Sequence, residues 1–127
     1  MAAPNKHDFD YIDEWAALSD AELQEQYTEK AGDILRRVLV QLGDDGERAI
    51  EVDRGTFVPL VRRLRERKRA GSRALGDAII GASELLKEGS VEEAKSIYGD
   101  FIQNCPSKFY RQIAEARLRS LVSSTDS

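Results

Sequence analysis

The sequence predicts an all-α single domain, and three observations carry that expectation. Apolar residues recur at intervals of three and four through most of the chain, the spacing that places them on one helix face. Glycine and proline gather at a few punctuation points, and β-branched residues form no sustained alternating run. With 127 residues, 41% apolar and 33% charged, the chain suits one generously solvated domain that folds without disulfides or metals.

Each element follows from local signals. Phe9, Tyr11, Ile12 and Trp15 crowd into seven residues; a short N-terminal helix and a packed arm explain them equally well. Burying Trp15 would contribute a few kcal/mol, roughly, so an arm pinned to the core is favoured over an exposed aromatic docking patch. Ser19 and Glu22 have the spacing of a capping box, with Leu18 placed to staple the chain before it. Leu23, Tyr27, Ala31, Ile34, Leu35, Val38, Leu39 and Leu42 then predict one helix over residues 20–42, stopped by Gly43. Residues 43–55 read as an irregular loop anchored by Ile50 and Val52.

Thr56 is placed to cap the next helix, and Pro59 is tolerated in its first turn. Leu64, Lys68, Gly71 and Leu75 keep one phase across a charged stretch, so a single long helix, with or without a kink, is expected over residues 57–87. Gly71, Gly76 and Gly81, with Ala78 and Ala82, suit close approach of a neighbouring helix. Gly89 suits the left-handed backbone that ends a helix, and Ser90 with Glu93 repeats the capping-box spacing. Val91, Ala94, Ile97, Tyr98, Phe101 and Ile102 form the next stripe, which Pro106 ends by disfavouring helical geometry at Cys105. Ser107 caps a last helix carrying Phe109, Tyr110, Ile113, Ala114, Leu118, Leu121 and Val122. Four to five helices are expected within residues 8–122, with residues 1–7 and 123–127 disordered.

The functional signals are mostly negative. The net charge is −4 and the one cysteine, Cys105, excludes an internal disulfide framework. Residues 1–8 lack the apolar core of a signal peptide, and no stretch approaches the ~18 apolar residues of a membrane span. A cytoplasmic protein away from the membrane is therefore expected. His7 is the single histidine and lies in the frayed N-terminus, which leaves histidine-based catalysis and two-histidine metal sites without material. The run Gly43-Asp44-Asp45-Gly46 lacks the oxygen spacing and final glutamate of a calcium loop. No enzyme activity, cofactor or metal is expected.

Charge is the feature worth following. Residues 62–73 hold seven positive side chains against one negative, whereas residues 8–29 hold eight carboxylates and no Lys or Arg. A basic helix can track a phosphate backbone. Here the positives wrap around the helix and no aromatic is interleaved to stack a base, so pairing with the acidic segment within the molecule, or a plain solvated face, is favoured over an external partner. The candidate partner-binding residues are Arg62, Arg65, Arg69 and Arg73 on the basic side, Asp10 and Asp13 on the acidic side, and Trp15.

Two resemblances follow from the punctuation. The segment Leu86-Lys87-Glu88-Gly89-Ser90-Val91-Glu92-Glu93-Ala94-Lys95-Ser96-Ile97-Tyr98, with Pro106 beyond it, resembles one tetratricopeptide unit, whereas a stacked array needs about three. Residues 65–121 resemble the bacterial DUSAM domain, a family of unknown function, in the Arg-rich helix, the Gly-centred turn with its Val-Glu-Glu-Ala start, and the Phe-Tyr-Arg-Gln-Ile-Ala-Glu-Ala segment at 109–116. That resemblance implies a bacterial, non-enzymatic protein and supplies no site residues. The expected function is a non-enzymatic protein–protein interaction module (an adaptor, a regulator or an immunity-type protein) whose partner is another protein, with homodimerisation open. The alternative is a nucleic-acid-binding regulator that uses the basic helix.

Overall fold

The computed structural model describes residues 7–125; the outermost parts of the termini expected to be disordered lie outside them. Among the described residues the fold is all-α, with seven helices: α1 (Asp8–Ala16), α2 (Asp20–Glu25), α3 (Glu29–Leu42), α4 (Asp45–Arg48), α5 (Phe57–Lys87), α6 (Val91–Asn104) and α7 (Lys108–Thr125). Two compact units divide the chain after Lys68, and α5 runs through both.

In the first unit, α1 packs on α3 and the buried stripe of α3 comprises Ala31, Ile34, Leu35, Val38, Leu39 and Leu42. Phe57 is fully buried and gathers the aromatics: the rings of Trp15 and Tyr27 lie 5.1 Å and 5.4 Å from it, both edge-on. That geometry favours aromatic contact beyond simple area burial. His7 accepts the Phe9 amide through Nδ1 at 3.1 Å and so caps α1. The Ser19–Glu22 capping box forms with both of its hydrogen bonds.

Three local expectations need correction here. The helix expected over residues 20–42 breaks at 26–28, because Thr28 takes extended backbone (φ −142°, ψ 170°) and its hydroxyl accepts the Ala31 amide at 3.0 Å. A threonine that caps competes with helix continuation, and the three-residue break leaves the apolar period unchanged. The loop expected over residues 43–55 contains α4, closed by a capping box between Asp44 and Glu47. Before α5, Asp53 rather than Thr56 supplies the side-chain acceptor: its Oδ1 takes the amides of Gly55 and Thr56, while the Thr56 hydroxyl donates to Glu51 O.

The second unit comprises residues from Arg69 onward, with α6 packed on α7. Gly89, at φ +81°, is the described residue with left-handed backbone. The Ser90 amide donates to Leu85 O at 2.8 Å and the Gly89 amide to Leu86 O at 3.1 Å, the paired closure of a Schellman motif. The Ser90–Glu93 capping box does not form, since Ser90 makes no side-chain cap. Cys105 is extended (φ −83°, ψ 125°), as the following proline demands. Helix α7 continues to Thr125, past the expected limit at 122.

The glycines of α5 divide into two kinds. A Cβ at Gly71 would stand 2.3 Å from the Tyr110 ring, and one at Gly81 would meet Ile97 at 3.3 Å; at Gly76 it would meet nothing within 4 Å. Close approach therefore explains Gly71 and Gly81 but not Gly76. Replacing Gly71 by Ala gains about 1 kcal/mol of helix propensity and loses more to the ring it collides with. The expected result is that Gly71→Ala lowers stability by about 1–2 kcal/mol while Gly76→Ala raises it by up to about 1 kcal/mol, read by urea denaturation.

Candidate functional site

The part of the basic segment that lies in the first unit, residues 62–68, meets acidic residues of that unit. Near the start of the segment, Arg62 donates from Nη1 to Ala16 O at 2.7 Å and from Nη2 to Leu18 O at 2.6 Å, and it also bonds Asp20. Ala16 ends α1, so the guanidinium occupies the place where helix carbonyls lack partners and the macrodipole is negative. One turn on, Arg65 pairs with Asp13 Oδ1 at 2.6 Å and Lys68 pairs with its Oδ2. Arg65, Lys68 and Asp13 therefore tie α5 to α1.

On another side of α5, Arg67 reaches Asp44 Oδ2 at 2.8 Å and Glu47 Oε1 at 2.9 Å, while Arg63 Nε stands 2.7 Å from Glu47 Oε2. Glu47 is 3% exposed and also accepts the Asp44 amide. A buried carboxylate is costly unless cations and donors surround it; here Oε1 accepts from Arg67 and the Asp44 amide, while Oε2 is met by the Arg63 charge without an aligned hydrogen bond. Asp44 and Glu47 are thereby used for capping and arginine pairing.

A further pair secures the outer side of α1. Arg37 holds Asp8 through both carboxylate oxygens, at 2.8 and 3.1 Å. The hydrogen bonds from Arg37 hold the Asp8 carboxyl below the usual range; desolvation opposes them, and the charges of Arg37 and His7 add smaller lowering effects. A depressed native pKa contributes stability above the unfolded value, and that contribution is lost as pH falls through the lowered one. Glu22 is lowered too, by the Ser19 amide it accepts in the capping box.

The residues singled out from the sequence thus separate. Arg62, Arg65 and Asp13 come together as intramolecular partners. Trp15 is 6% exposed and packed on Phe57, so the docking-patch reading of that ring is corrected to a core role. Asp10, Arg69 and Arg73 are exposed and form no ion pair among the described residues. Sequence reasoning missed Glu47, Asp44, Arg67 and the Arg37–Asp8 pair. The Asp44-x-x-Glu47 spacing was a legible capping-box signal, hidden by treating the glycine-rich segment as a loop.

Away from these charges, a shallow depression of about 300 Å³ lies beside α3, floored by Leu39, Val40, Ile50 and Val52 and rimmed by Arg36, Arg48 and Glu51. Val40 is 47% exposed at its edge. Among the described residues, no helix is long and apolar enough to cross a membrane. No family model matches the chain, and no curated protein or solved structure does.

The electrostatic arrangement has a stability consequence. Removing the Glu47 carboxylate takes away one of the two capping-box hydrogen bonds of α4, the Asp44 amide to Oε1, and leaves Arg63 and Arg67 without their shared carboxylate, though both side chains reach solvent. Glu47→Ala is expected to cost about 2–3 kcal/mol by chemical denaturation. The exposed change Asp10→Asn is expected to stay within about 0.5 kcal/mol.

Proposed function

We propose that this chain is a non-enzymatic protein-interaction module, an adaptor, regulator or immunity-type protein, that meets its partner through the Val40 face of the first unit. One observation carries the reading: the strongest charges of α5 are bound to the molecule's own carboxylates and carbonyls, while Val40 and Ile50 flank an apolar depression with a charged rim. An apolar centre with a polar rim is the anatomy of a protein interface. The partner fitted to it presents an apolar anchor side chain.

The nucleic-acid reading draws support from Arg69 and Arg73, which remain exposed. Two phosphate contacts give a logarithmic salt slope of only about −2, weak beside the slopes of dedicated DNA binders. That magnitude places the nucleic-acid reading second.

Photo-crosslinking from position 40 in cells, with nuclease-treated lysate, tests the proposal. A discrete protein adduct is expected, and recovery of that protein should fall about tenfold or more in Val40→Glu, equivalent to about 1.4 kcal/mol. Recovery should persist in Arg69→Glu/Arg73→Glu. Recovery unchanged by Val40→Glu, or loss with nuclease or in the arginine variant, would overturn it.

A further inference from the structure

The Val40 depression has a neighbour in the same unit. A second hollow, of about 200 Å³, is lined by Pro59 and Leu60 of α5 and by the connection before it. Ile50 lines both hollows and stands as the ridge between them. The charged residues that line the pair are Arg36, Arg48 and Glu51 at the first hollow and Arg63 at the second. Each arginine is met by a carboxylate of its own unit: Arg36 by Asp33 at 2.7 Å, Arg48 by Asp45, and Arg63 by Glu47. Arg36 and Arg48 also donate to backbone carbonyls, those of Val52 and Gly43. Glu51 is left, exposed and without an ion pair among the described residues. Its backbone is held in place, since its carbonyl accepts the Thr56 hydroxyl at 2.6 Å. The surrounding charges keep the same sign. Asp53 and Arg54 cancel, and Glu66, one turn beyond Arg63 on α5, adds a further exposed carboxylate.

We propose that the two hollows receive a segment of another protein that carries two apolar side chains, one on each side of Ile50, and a lysine or arginine that faces Glu51. This rests on the reading of the Val40 face as the interface and names the chemistry of its partner. Two hollows parted by one side chain need two anchors, and anchors seated in desolvated pockets dominate binding energy. The cation follows from the charges. With its arginines neutralised by their own carboxylates, the rim keeps the negative charge of Glu51. A carboxylate brought there would meet Glu51 while every facing guanidinium already lies beside an acid. An ammonium or guanidinium instead finds an acceptor that no cation holds. A charge at the rim selects the partner and its orientation, whereas the apolar anchors supply most of the affinity.

Short peptides selected from a random display library on the immobilised full chain, after depletion on Val40→Glu, test this. The selected sequences are expected to carry a Lys or Arg beside two apolar residues. By fluorescence polarisation, replacing that cation with Glu in the peptide should weaken binding to wild type about fivefold or more, and Glu51→Lys should reverse the preference. Glu51 is exposed, so Glu51→Lys should keep the helical circular dichroism of wild type. Replacing either apolar residue of the peptide with Ala should weaken binding about tenfold. Peptides that bind through Val40 but lack a cation, or that ignore Glu51→Lys, would overturn this proposal and leave the Val40 reading standing. Selection that yields no peptide able to tell wild type from Val40→Glu would overturn it too, with the Val40 reading judged separately by the crosslink from position 40. Sedimentation showing that the chain pairs with itself through Val40 would assign the hollows to a second copy and likewise overturn it.

Discussion

The first unit is organised by where the cations of α5 find their partners. Arg62, Arg63, Arg65, Arg67 and Lys68 fall within two turns of one helix, and that density is tolerable because each is met by a carboxylate or a helix-end carbonyl. The partners come from α1, the α1–α2 connection, α2 and α4, elements too short to be stable as isolated helices. The cations therefore set where these short helices lie along α5.

Magnitudes separate this role from that of the core. Burying Phe9, Ile12, Trp15 and Leu23 contributes roughly 1.5–3 kcal/mol for each side chain, whereas an exposed ion pair contributes about 0–1 kcal/mol. Hydrophobic burial thus supplies most of the stability that holds α1 and α2 down. It is non-directional, however, and would accept a helix displaced by a turn. The Arg62 fork on Ala16 and Leu18, and the Arg65–Asp13 pair, are satisfied in one register only. The second unit achieves register by shape instead, with the Tyr110 ring closed over Gly71 and the Schellman turn at Gly89.

Much of this was legible in the sequence. The all-α class, the long α5, the stop at Gly89 and the extended backbone before Pro106 follow from periodicity and punctuation, because those signals are local. The segmentation of residues 20–42 was hidden by a coincidence of phase: Leu23, Tyr27 and Ala31 keep a four-residue spacing across a break that only the Thr28 cap reveals. Ser90–Glu93 shows the converse, a correct spacing whose backbone, at ψ 67°, does not bring the hydroxyl into a cap. The acidic and basic segments announced their complementarity by composition, but which arginine met which carboxylate depended on contacts more than forty positions apart, as in Arg65 with Asp13. The buried position of Glu47 was illegible because it depends on Arg63 and on Arg67, 20 positions away on another helix, rather than on local spacing.

Native-state hydrogen exchange on a variant carrying Arg62→Gln, Arg65→Gln and Lys68→Gln tests the ordering role of the cations most directly. Amides of α1 and α2 are expected to exchange about tenfold faster or more, the effect of losing roughly 1.4 kcal/mol or more of charge-assisted hydrogen bonding, while protection in α6 and α7 stays as it was. Unchanged protection in α1 and α2, or a loss spread equally over α6 and α7, would contradict the account.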